Sequence, residues 1–127
     1  MSSKELAPDE FELYDLKVTV EGGNFVCRHH SDQGFRVEGE DLIFPEGGRF
    51  SLYAMAALLP LLPAKERSTA SADWMTTDAL IACPDPNCGA RFRITRTARR
   101  IFRHGDCTVV PLESETKTNF STEENSK

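Results

Sequence analysis

The sequence of 127 residues contains no apolar run that is long enough to cross a membrane. A membrane-spanning helix needs about 20 consecutive apolar residues, and the longest apolar stretch, residues 52–62, is interrupted by Pro60. The first five residues are polar or charged after Met1, so they lack the apolar segment of a secretory signal. We therefore expect a cytoplasmic protein with no membrane partner.

Positive charge is also scarce, because 15 lysines and arginines face 20 aspartates and glutamates, which gives a formal net charge of -5. An acidic chain does not attract nucleic acid through its overall electrostatic field. We therefore do not expect nucleic acid as a partner of the whole chain.

The usual catalytic motifs are absent as well. Ser51 has no Gly-x-Ser-x-Gly setting, and the chain has no glycine-rich phosphate loop. His104 lies close enough in sequence to lower the pKa of the Cys107 thiol, but no third orienting residue is evident. We therefore expect an ordinary thiol at Cys107 and no catalytic activity of the chain on its own.

The patterns that are present predict an α+β fold, a small antiparallel sheet with one short buried helix. Alternating apolar and polar residues over 13–21 predict a half-buried strand, and Phe25–Cys27 would form a hairpin with it. Further strands are predicted at residues 34–38, 42–44, 79–83, 90–95, 99–104 and 107–110. The predicted organisation is a flexible leader at 1–10, one domain at 11–112 and a disordered tail at 113–127.

One helix is predicted from Leu52 to about Leu59, with Ser51 as its N-cap. Its predicted buried positions share helical spacing, and they are Leu52, Met55, Ala56 and Leu59. Pro60 and Pro63 would end the helix. The polar residues 64–78 then predict a surface loop that is held by Trp74.

Four residues predict a zinc site: Cys27, His30, Cys83 and Cys88. Zinc prefers four tetrahedral sulfur and nitrogen ligands, paired at short spacings on turns, and a closed set of this kind would be structural. His29 could replace His30, since adjacent residues of an extended chain point to opposite sides. The alternative is that Cys27 and Cys83 are small buried core residues with no metal.

Two surfaces are candidates for binding. An arginine cluster could bind an anion, RNA or an acidic partner, or could pair locally with carboxylates; it comprises Arg91, Arg93, Arg96, Arg99, Arg100 and Arg103. The residues of the predicted helix and its surroundings could instead form a protein interface, or simply pack in the core; they are Leu52, Tyr53, Met55 and Trp74.

Several short strings also suggest a family. They are Leu16–Val20, Cys27 with a following histidine, Gly34-Phe35, Val37–Glu40, Ala54–Pro60, Trp74, Cys83-Pro84-Asp85-Pro86 and Phe92–Ile94. Through them, residues 13–95 resemble an uncharacterised family of short prokaryotic proteins, a resemblance that implies one α+β domain and no established activity. That family often has a cysteine just before its helix, where this chain has Phe50-Ser51. Residues 83–94 also look like a zinc-ribbon knuckle with two inserted residues.

The function predicted from the sequence is a non-catalytic accessory subunit or interaction module that a structural zinc stabilises. Its partner would be a larger enzyme subunit or a second copy of the chain. One alternative is a metal-dependent enzyme or a thiol sensor that uses Cys27, His30 and Cys83. Another is anion or RNA binding at the arginine cluster.

Overall fold

The computed structural model describes residues 5–22 and 34–113, which form two compact units. One unit comprises residues 13–100, and the other comprises residues 5–12 and 101–113. The strands are β1 (Glu10–Gly22), β2 (Phe35–Glu38), β3 (Asp41–Ile43), β4 (Leu80–Ala82) and β5 (Ala90–Arg103). The helices are α1 (Leu52–Leu58), α2 (Leu62–Lys65), α3 (Trp74–Thr77) and α4 (His104–Cys107). The prediction of an α+β fold is confirmed.

The five strands form one antiparallel sheet in the order β3-β2-β1-β5-β4. Leu16 lies opposite Val37 in the β1–β2 pair, and Ile81 lies opposite Phe92 in the β4–β5 pair. The alternation predicted for β1 is confirmed, because its even-numbered residues from 14 to 20 face the core. The predicted strand at Phe25–Cys27 lies outside the described residues.

The core of the first unit lies on one face of this sheet, under α1 and α2. Phe92, Leu16 and Val18 are the strand residues that solvent reaches least. The ring of Phe50 packs edge-on against Phe35, with 5.0 Å between centroids, and lies 5.3 Å from the ring of Phe92. Such tilted contacts suit aromatic rings, whose edges are positive and whose faces are negative. Phe50 therefore joins the segment before α1 to two strands.

Helix α1 begins where the sequence predicts, but it buries a different face. The Ser51 hydroxyl accepts a hydrogen bond from the Ala54 backbone N–H, as an N-cap does. Ala54 and Leu58 are fully buried, whereas Leu52 is 77% exposed and Leu59 is 47% exposed. The prediction that Leu52 and Leu59 are buried is therefore wrong. The residues of α1 are apolar or aromatic on every side of the helix, so the sequence pattern alone does not predict which side is buried.

Residues 64–78 are not the single loop that their polar composition predicts. They contain the end of α2 and all of α3, and Pro63 stands in the first turn of α2, where a missing N–H is harmless. Trp74 starts α3 with 59% of its surface exposed. It therefore does not hold this segment to the core.

Strand β5 is one strand of 14 residues, where the sequence predicts two. The guanidinium carbons of Arg96 and Arg99 lie 4.7 Å and 6.0 Å from the ring centroid of Tyr14. Residues three apart point to opposite faces of a regular strand, so the alternation shifts between these arginines, as at a β-bulge. The sequence pattern loses its alternation here, and two shorter strands are therefore predicted at residues 90–95 and 99–104.

The second unit contains the first residues of β1, the last residues of β5 and α4. The rings of Phe11 and Phe102 stack with 5.4 Å between centroids, and Arg103 lies 3.7 Å from Asp9. The predicted last strand at residues 107–110 is wrong, because α4 occupies residues 104–107 and no strand follows up to residue 113. The His104 imidazole Nε2 contacts the Val110 carbonyl oxygen at 2.6 Å, a backbone partner that the sequence did not suggest.

Candidate functional site

Two of the four predicted metal ligands lie on the turn that joins β4 to β5. Cys83 follows β4, and its backbone N–H donates to the Ala90 carbonyl at 3.0 Å. The Cys88 N–H donates to the Asp85 carbonyl at 3.0 Å, and the Asp85 carboxylate accepts from the Asn87 N–H at 3.0 Å. Gly89 has a φ of 83°, a conformation that glycine adopts without strain. The turn therefore folds the two cysteines back toward each other.

The two thiols lie close enough to influence each other. Cys88 is only 1% exposed, and Cys83 is half-buried. Burial raises the pKa of the Cys83 thiol, and the contact with Cys88 raises it further, while a hydrogen bond from the Asp85 backbone opposes both effects. The Cys83 thiol therefore stays protonated more readily than a free thiol unless a cation stabilises its thiolate form.

The other two predicted ligands, Cys27 and His30, lie outside the described residues, as does the alternative His29. Within residues 5–22 and 34–113, no group of three or more His, Cys, Asp and Glu side chains could hold a metal ion. The structure thus brings together one pair of the predicted four. Cys107 is exposed and lies in the other unit.

The predicted arginine cluster is divided among several internal partners. Arg93 pairs with Glu21 at 2.5 Å, and Arg100 pairs with Asp15 at 2.7 Å. The hydrogen bond from Arg93 lowers the pKa of the Glu21 carboxyl. Arg103 lies against Asp9, and Arg96 and Arg99 lie near the Tyr14 ring. Among the residues described, Arg91 is the member whose side chain is exposed without an ion pair.

The predicted interface residues are mostly at the surface. Tyr53 is 76% exposed, in addition to the exposed Leu52 and Trp74, while Met55 packs partly against the core. All exposed positions of α1 and of the two residues after it are apolar or aromatic, and they are Leu52, Tyr53, Ala56, Leu59 and Pro60. The surface face of a helix in a globular protein normally carries charged residues. We call these five residues the α1 surface.

Sequence analysis missed the residue that holds α3 in place. Lys65 is only 4% exposed, and its ammonium donates to the carbonyl oxygens of Met75 and, at 2.5 Å, Asp78. The Arg96 guanidinium donates to the Lys65 carbonyl at 2.8 Å and to the Arg67 carbonyl at 2.7 Å. A lysine in a polar segment normally indicates solvent exposure, so the sequence carries no signal of this contact.

No family model, curated protein or solved structure matches the chain. Within the part of the chain that the structure describes, no helix combines the length and apolar character that a membrane span requires.

Proposed function

We propose that this chain is a non-catalytic interaction module that docks on a partner protein through the α1 surface. One observation carries the proposal: the exposed side of α1 consists of apolar and aromatic residues, and the helix contains no charged residue. Exposed apolar patches on folded proteins mark interaction sites, and interface cores are depleted of charge and enriched in aromatic residues.

The chemistry of the surface also restricts the partner. Leu52 and Tyr53 are each more than three-quarters exposed, and no charge on α1 could pair with a charged partner group. A charged group that a partner placed here would lose its hydration without gaining an ion pair. We therefore expect a protein that presents an uncharged apolar surface of its own.

Photo-crosslinking from position 53 tests this proposal. Replacing Tyr53 with a photoreactive phenylalanine analogue should give one adduct of defined mass in an extract of the native host. Adding Leu52→Glu to the same chain should abolish the adduct. The matched control places the analogue at Arg91, an exposed position on β5, and should give no such adduct. Equal adducts from both positions, or none from position 53, would contradict the proposal.

We further propose that zinc stabilises this module, with Cys83 and Cys88 as one half of its ligand set. The position of both cysteines on one tight turn supports this idea, because paired cysteines on a turn are a common half-site of structural zinc. Cys27 and His30 complete the proposed set. A reducing, cytoplasmic location belongs to this proposal, since zinc needs thiolates rather than a disulfide.

Metal analysis of the purified chain tests the zinc proposal. We expect about one zinc per chain in the wild type and in Cys107→Ser, which removes an exposed cysteine away from the turn. Cys88→Ser should lose both the zinc and thermal stability, because metal binding contributes directly to folding in closed sites. A wild-type chain that stays free of zinc after expression with added zinc would contradict the proposal.

A further inference from the structure

A groove opens on the β3 side of the sheet, and none of its lining residues belongs to the α1 surface or to the arginine cluster. Its volume is about 380 Å³, and six residues line it: Lys17, Phe35, Arg36, Ile43, Phe44 and Pro45. Pockets that hold small organic ligands have volumes of roughly 300–1,000 Å³ and combine apolar walls with a few polar groups. The groove therefore has the size and the kind of lining that a small ligand requires.

Two cations stand side by side in this lining. Lys17 of β1 lies directly opposite Arg36 of β2, and Arg36 lies opposite Ile43 of β3. Side chains at directly opposite positions start only about 5 Å apart, and like charges there destabilise a sheet. This row of residues gains stability if an anion lies between the ammonium and the guanidinium.

Two of the carboxylates nearby, Glu38 and Asp15, are already paired with arginines. Arg36 pairs with Glu38, and Arg100 pairs with Asp15 at 2.7 Å and with Glu38 at 3.3 Å. Within residues 5–22 and 34–113, Lys17 forms no ion pair with a carboxylate. Lys17 is therefore the cation of this face that an external anion would meet.

The remaining walls are apolar. Phe44 keeps 38% of its surface exposed, and its ring lies 5.1 Å from that of Phe35. Ile43 lies opposite Arg36 and shares its face of the sheet, with Pro45 two residues further on, whereas Phe44 lies on the core side with Phe35. Free phosphate would leave the wall unused, whereas a carboxylate attached to a ring would contact both parts of the lining.

We propose that the groove binds a small organic anion, with its carboxylate between Lys17 and Arg36 and its apolar body against Ile43 and Pro45. This inference is independent of the proposed interaction surface, because none of the groove residues belongs to it.

Calorimetric titration with 2-naphthoate at low salt tests the inference, with 2-naphthylmethanol as the uncharged comparison. Lys17→Gln should weaken naphthoate binding about tenfold, the loss that one charge-assisted hydrogen bond of about 1.4 kcal/mol gives. Arg91→Gln removes another exposed cation outside the groove and should leave the affinity unchanged. Amide shifts in an NMR titration should change most at residues 17, 36, 43 and 44.

Three results would overturn the inference. They are naphthoate binding that is undetectable at millimolar concentration, equal affinity for the uncharged alcohol, and equal losses in Lys17→Gln and Arg91→Gln. Lys17 is exposed and one of two opposed cations, so Lys17→Gln should be at least as stable as the wild type in thermal unfolding.

Discussion

The buried ammonium of Lys65 offers the sharpest test of how residues 66–78 are held. Substituting Lys65→Met keeps most of the side-chain volume but removes both hydrogen bonds to the carbonyl oxygens of Met75 and Asp78. Met75 belongs to α3 and Asp78 is its C-cap, so α3 would lose both of these hydrogen bonds to α2. We therefore expect a loss of stability together with a local loosening of α3.

The magnitude follows from opposing effects. Hydrogen bonds from a charged donor contribute about 1.5–3 kcal/mol each. Burial of the ammonium lowers the pKa of Lys65 in the folded chain, and repulsion from Arg96 lowers it further. Both effects disfavour the charged form, and Lys65→Met removes them. This relief offsets part of the loss, so we expect a net decrease of about 2 kcal/mol in the free energy of unfolding. A decrease of that size lowers Tm by roughly 8 °C for a chain of this length.

Urea unfolding gives the free energy, and Trp74 gives the local readout. Trp74 is the sole tryptophan and the first residue of α3, so its fluorescence anisotropy should fall in Lys65→Met even before unfolding begins. Lys17→Met is the matched control, because Lys17 is exposed and its replacement should change stability by less than about 0.5 kcal/mol. If the two variants lost equal stability, or if the anisotropy of Trp74 stayed constant, the reasoning would be refuted.

Three further predictions concern single side chains. Burial raises the pKa of Glu66, and among the described residues one of its carboxylate oxygens has no hydrogen-bond partner. The protonated side chain therefore contributes stability in acid, and this contribution disappears as pH rises through the folded-state pKa. Glu66→Gln should therefore raise Tm at pH 7 and flatten the dependence of Tm on pH between 4 and 7; an unchanged pH profile would refute this. Gly34→Ala should cost more than about 3 kcal/mol in urea unfolding, because the new Cβ would overlap the Val18 carbonyl, whereas Gly47→Ala, with a similar φ and open space, should cost about 1 kcal/mol; equal costs would contradict the overlap. Ser51→Ala should lower the free energy of unfolding by about 1 kcal/mol through the lost cap of α1, and a change below about 0.3 kcal/mol would mean that the cap contributes little.

The parts of the fold that could be predicted are those whose sequence pattern depends only on residues close together in the chain. The alternation of β1 places Leu16 and Val18 inside, and the hydroxyl of Ser51 marks the start of α1. The same holds for Phe92, which the pattern places opposite Arg91 and Arg93 on β5. Each of these signals is a short-range consequence of strand or helix periodicity.

The features that the sequence did not predict arise from contacts between distant residues. Lys65 can be buried because the carbonyl oxygens of Met75 and Asp78, in and just after α3, accept hydrogen bonds from its ammonium. Arg100 pairs with Asp15 across 85 positions of the chain. The long strand β5 also escaped prediction, because Arg96 and Arg99 share one face only after the alternation shifts. Of the proposed metal site, the sequence indicated the cysteine pair at residues 83 and 88, and the structure places both cysteines on the β4–β5 turn.

The error about α1 is itself informative about function. A helix that is apolar on one side can bury only that side, so its pattern predicts its orientation. Helix α1 is apolar on every side, and the sheet covers Ala54 and Leu58 while Leu52 and Tyr53 remain at the surface. Core packing therefore accounts for one half of its apolar residues and leaves the other half without a structural role. The orientation was unpredictable for the same reason that the α1 surface is a candidate docking site: both faces of this helix have the composition of an interior.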